Sequence, residues 1–122
     1  MKNKTFIFSM LAASSLLLCS CHFFAPSIET ENDILVEAGY NTRLVSDSEI
    51  MDADENSPLF YITGVSNCLY ANKGSDEIYL IYFLSIGEAE TNYNYIYTKL
   101  EKGQINELVY CGTKQAVKDA KL

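Results

Sequence analysis

Histidine occurs once in the 122 residues, at His22, and tryptophan not at all. Beyond residue 22, then, no histidine general base and no Ser-His-Asp type of triad can be built, and a zinc set would have no imidazole. Positive charge is also scarce: nine Lys and Arg stand against sixteen Asp and Glu, for a formal charge of −7. Phosphate backbones demand a basic surface, so nucleic acid is excluded as a partner, and so is a polybasic grip on anionic lipid. Such acidity keeps an exposed domain soluble and leaves it open to a basic partner. The chain has no G-x-S-x-G, no S-x-x-K, no phosphate-cradling glycine loop and no C-x-x-C pair. No catalytic residue, metal or cofactor is expected.

No apolar run reaches the roughly 20 residues that a membrane-spanning helix needs. The longest, Phe6 to Leu18, is interrupted only by Ser9, Ser14 and Ser15 and follows Lys2 and Lys4. A short positive segment followed by a short apolar one is the pattern of a secretory signal peptide.

That run ends in Leu18-Cys19-Ser20-Cys21, which resembles the lipobox of bacterial lipoproteins: an aliphatic residue three before the cysteine, a small residue before it, then the cysteine. The resemblance covers residues 1–21 alone. It implies that residues 1–20 are removed and that Cys21 becomes the lipid-bearing first residue, holding the protein to a membrane without crossing it. Cys19 departs from the usual middle residue, at a permissive position. The competing register, cleavage before Cys19, would put the bulky Leu18 at the scissile bond and strand an odd thiol at Cys21. In this family an aspartate after the lipidated cysteine favours the inner membrane; His22 stands there, which points to the outer membrane.

Removing 20 residues, Lys2 and Lys4 among them, leaves 102 and takes the formal charge from −7 to −9. That is enough chain for one small domain. Residues 21–32 read as a lipidated tether, with Phe23 and Phe24 at the bilayer interface, and residues 33–122 as a single α+β domain. Ile34 to Ala38 before Gly39 is either a short helix or one arm of a hairpin returning along Thr42 to Ser46. Ser46-Asp47-Ser48-Glu49 matches a capping box opening a helix toward Asp54.

Four strands are predicted after that, at Leu59–Leu69, Ile78–Ile86, Tyr93–Leu100 and Ile105–Cys111, with turns at Asn72–Ser75 and Lys102–Gln104. The expected architecture is a four-stranded antiparallel meander with one or two short N-terminal helices and a short C-terminal helix within Thr113–Leu122. Ile78 to Leu84, apolar on both faces, is expected at its centre. Cys68 and Cys111 remain after processing, and an exported protein can pair them; the bridge would close a loop of about 44 residues and contribute near 4 kcal/mol.

Two clusters invite a functional reading. Asp47, Glu49, Asp52, Asp54 and Glu55 are acidic, but Ser57 and Thr63 stand where a calcium loop needs Gly and Glu, so a solvated loop is expected. Nine tyrosines are the second feature, and Tyr93, Tyr95 and Tyr97 would share one face of a strand. They read either as an exposed recognition face or as rings covering the sheet. The favoured expectation is a non-enzymatic, membrane-anchored envelope lipoprotein that binds a protein partner in the envelope or outside the cell. The alternatives are a structural lipoprotein without a ligand, or a small enzyme acting on cell-wall or lipid material through Asp52, Asp54 or Glu55.

Overall fold

The computed structural model describes residues 24–122; the signal segment, the lipobox and Cys21 lie outside the described residues. Hydroxyl side chains start every helix among the described residues. Ser27 caps α1 (Ile28–Glu37), its Oγ accepting from the Thr30 amide at 3.1 Å. Gly39, at φ +98°, ends that helix: its amide donates to Val36 O and the Tyr40 amide to Leu35 O, which satisfies two terminal carbonyls. The chain then forms β1 (Asn41–Leu44) and α2 (Asp47–Met51), which Ser46 caps through the Glu49 amide as the capping box requires. An irregular stretch over 52–64 leads to β2 (Val65–Lys73) and β3 (Asp76–Phe83), joined at Gly74 and Ser75. Next come α3 (Ile86–Tyr93), capped by Ser85, then β4 (Glu101–Ile105), β5 (Leu108–Gly112) and α4 (Lys114–Asp119), capped by Thr113.

The strands form one antiparallel sheet in the order β1-β2-β3-β5-β4. β3 is central, as its two-sided apolar sequence requires. Its Ile78, Leu80 and Tyr82 join Leu35, Leu69, Leu108, Ala116 and Val117 in a core beneath α1 and α4. Its Ile81 and Phe83 face the other way, into a core with Val45, Leu59, Ile62, Ala89, Ile96 and Val109. The sheet is thus covered on both faces.

This corrects the four-stranded meander. There are five strands, and β3 is followed by a helix, so that β5 rather than β4 pairs with it. Tyr93 to Leu100 makes no ladder; the Ser85 cap, with Glu88 three residues on, turns the preceding residues into α3. Leu59 and Ile62 are buried as an irregular plug over the second core, and β2 begins only at Val65. Gly103 does not make the expected turn. It lies inside β4 under the Tyr110 ring, and the reversal falls at Asn106, which takes φ +52°. Residues 28–32, expected in the tether, are the first half of α1.

The disulfide is also corrected: Cys68 and Cys111 are both free thiols. Cys68 is opposite Ile81 and Cys111 opposite Tyr79, so β3 runs between them and they are offset by two residues. Strands lie about 4.8 Å apart, which separates these Cα atoms by about 10 Å or more, whereas a disulfide spans at most about 7 Å.

Candidate functional site

Pairing about the Gly74-Ser75 turn brings Tyr70 opposite Tyr79, and the remaining registers extend that line across all five strands as Arg43, Tyr70, Tyr79, Cys111 and Lys102. Alternation of side chains puts the whole row on the face away from α1 and α4. The Tyr70 and Tyr79 rings meet at 4.8 Å between centroids. Arg43 lies over the Tyr70 ring at 5.2 Å while its two guanidinium nitrogens donate to Glu49 Oε1 and Oε2, both at 2.7 Å. Tyr70 donates its hydroxyl hydrogen to Glu77 Oε1 at 2.9 Å. At the far end Lys102 Nζ sits 4.2 Å from the Tyr93 ring centroid and donates to the carbonyls of Tyr93 and Ile96.

Above this row opens a cleft of about 710 Å³. Glu77 and Tyr79 on β3 line it from the sheet, residues 55–58 form one wall and Tyr97 to Leu100 the other. The Lys102 bonds and the buried Ile96 pin the second wall, and they turn Tyr95 and Tyr97 outward at 62% and 81% exposure. Burial, followed by the hydrogen bond to Glu77, pushes the Tyr70 phenol up to about 12; burial and the nearby Glu77 also raise Tyr79. Both phenols therefore stay protonated. The cleft presents the Tyr79 and Tyr97 rings and the carboxylates Glu55 and Glu77, with Lys99 the cation on its wall.

Tyr93, Tyr95 and Tyr97 do not share a strand face. Tyr93 ends α3 half-buried under Lys102, Tyr95 lies in the turn that follows, and Tyr97 lies beyond that turn. The acidic cluster is dispersed: Glu49 binds Arg43, Asp54 Oδ1 accepts from the Asn56 amide in a turn, and Glu55 reaches the cleft. Asp47 and Asp52 are exposed. Among the described residues no three His, Cys, Asp or Glu side chains are placed to hold a metal ion. Cys111 in the row and Cys68 on the same face are both buried, and burial raises both thiols to about 12.

Sequence reasoning passed over Tyr70, Glu77, Tyr79 and Asn92. The first three follow from counting outward from Gly74-Ser75. Asn92 needed α3, for which Ser85 and Glu88 gave the same capping-box signal that Ser46 and Glu49 gave for α2. Its amide group accepts from the Thr63 amide at 2.9 Å and donates to the carbonyls of Thr63 and Glu88 at 2.9 and 2.8 Å.

The chain matches no protein-family model, no curated protein and no solved structure. No helix among the described residues is long and apolar enough to cross a membrane.

Proposed function

We propose that the chain is a lipid-anchored protein of the cell envelope, held at the outer membrane through Cys21, and that its single domain binds a protein partner at the tyrosine-rimmed cleft without catalysing a reaction. The anchor rests on the charge and apolar pattern of residues 1–21. The binding role rests on one observation: Tyr97 on the wall of the cleft, and Tyr95 two residues before it on the same Lys102-fastened segment, are both held open to solvent. Tyrosine gives rigid contact area with a hydrogen-bonding tip, and interfaces are enriched in it.

The anchor and the domain are close neighbours. Ser27 caps α1 only six residues after Cys21, and six extended residues span at most about 20 Å. Tyr82 fastens the near end by donating to Pro26 O at 2.7 Å. The proposed partner is therefore met near the bilayer.

Replacing both Tyr95 and Tyr97 with serine tests this reading in intact cells. A partner cross-linked to the parent protein should be lost from the variant while the circular dichroism spectrum stays the same. Undiminished cross-linking would reject the tyrosine rim as the binding surface.

A further inference from the structure

We infer that the outer edge of β1 is a second docking site, one that takes an extended basic segment of another polypeptide as an added strand. Among the described residues β1 pairs with β2 on one side only. The Val45 amide donates to Cys68 O, its cross-strand neighbour, at 2.8 Å. Antiparallel alternation then turns Asn41 and Arg43 toward β2, and aims the N–H and C=O groups of Thr42 and Leu44 outward. Those two residues are the template for an incoming strand.

Exposed edges are commonly guarded by Lys, Pro, a bulge or an inward-pointing charge. This one is short, at four residues, and carries Arg43, but it has no Lys, Pro or bulge. Leu44 is 68% exposed, and Arg43 is drawn to the opposite face and neutralised by Glu49. The other edge, β4, carries Glu101 and Lys102, and Lys102 binds the 94–100 segment.

Leu44 lies on the α1 side of the sheet because it is opposite Leu69, a member of that core. Between α1 and β1 runs a groove of about 390 Å³ lined by Ile28, Leu44 and Leu69 and walled by Glu29 and Asp33; Arg43 also borders it, its guanidinium bound to Glu49. These two acids are one helical turn apart, and among the described residues neither makes an ion pair. Every second side chain of an added strand would enter this groove, where apolar groups meet Leu44 and Ile28, and Lys or Arg meets Glu29 and Asp33. A second copy of this chain would bring its own Glu29 and Asp33 to the same place, so like charges oppose pairing of β1 with itself. The site is independent of the tyrosine-rimmed cleft, which opens on the other face.

The probe is a capped peptide, Thr-Val-Thr-Lys-Thr-Val-Thr-Lys, titrated against the full chain in detergent. Its Glu-for-Lys counterpart and a version N-methylated on alternate backbone nitrogens serve as comparisons. The Lys peptide should bind at least about tenfold more tightly than either one, and should slow hydrogen exchange at the Thr42 and Leu44 amides. The double variant Glu29→Lys, Asp33→Lys should reverse the preference toward the Glu peptide while the cleft variant, Tyr95→Ser with Tyr97→Ser, leaves it unchanged. Equal binding of all three peptides, binding without protection at Thr42 and Leu44, no binding, or a β1-mediated dimer in sedimentation would each overturn the assignment.

Discussion

Cys68 and Cys111 lie on the same face of the sheet with β3 between them, each fully buried and each a free thiol. Export to an oxidising compartment ordinarily pairs cysteines, but here the backbone holds them a strand apart. Burial also disfavours the thiolate that would attack. The folded protein should therefore take up no iodoacetamide at pH 8 over an hour. Unfolded in guanidinium without reductant, it should alkylate at both positions, as peptide mapping would show. Alkylation of the unfolded chain only after reduction would mean that a disulfide had been present.

Glu31 sets the second expectation. It is 1% exposed on the inward face of α1, and its Oε1 has no hydrogen-bond partner among the described residues. Burial raises its carboxyl to about 7, against the opposing pull of Lys121; Tyr82, close by on β3, already donates to Pro26. The folded state holds this proton more tightly than the unfolded state, whose value is near 4.5. The resulting stability is full below pH 4.5, falls as pH rises, and is gone above about 7. It amounts to at most about 3 kcal/mol. Glu49 and Asp119, both lowered by hydrogen bonds, act in the opposite sense toward acid, so the comparison must be with Glu31→Gln. Urea unfolding should show the variant gaining on the parent from pH 4.5 to 7 and staying ahead at pH 8. Parallel pH curves would remove Glu31 from the account.

Asn92 is the third. Its one side chain ties the 63–64 turn to α3 with three hydrogen bonds in a buried position. Asn92→Leu removes all three side-chain bonds and takes their partner from the Thr63 amide and carbonyl, at a cost of roughly 1–3 kcal/mol. Asn92→Asp should cost at least as much, because a carboxylate would face the carbonyls of Thr63 and Glu88. Denaturant midpoints of the two variants decide the matter, and a loss under about 0.5 kcal/mol, the range of ordinary surface changes, would contradict it.

Parts of this fold were legible because they rest on local rules. Ser46 and Glu49 announce α2, Gly39 stops α1, Gly74-Ser75 turns the central hairpin, and Ile78 to Phe83 is too apolar for anywhere but the middle. Where the reading failed, tertiary contacts had overruled a local signal. Gly103 looks like a turn but is the gap that Tyr110 fills. The Tyr93-Asn94-Tyr95-Ile96-Tyr97 alternation looks like a strand, but Tyr93 ends α3 and Tyr95 sits in the turn after it, with Ile96 buried and its carbonyl bound by Lys102. Cysteine counting assumed that two leftover thiols must meet; strand order, which counting does not contain, keeps them apart. The tyrosine row and the cleft needed that same strand order.

The functional account depends first on where the domain is held. The decisive measurement is the intact mass of the protein extracted from cell membranes. A chain beginning at Cys21, heavier by the diacylglyceryl group and any further acyl chain, is the expected result. A chain that still carries residues 1–20, or one that begins at an unmodified Cys21, would contradict it.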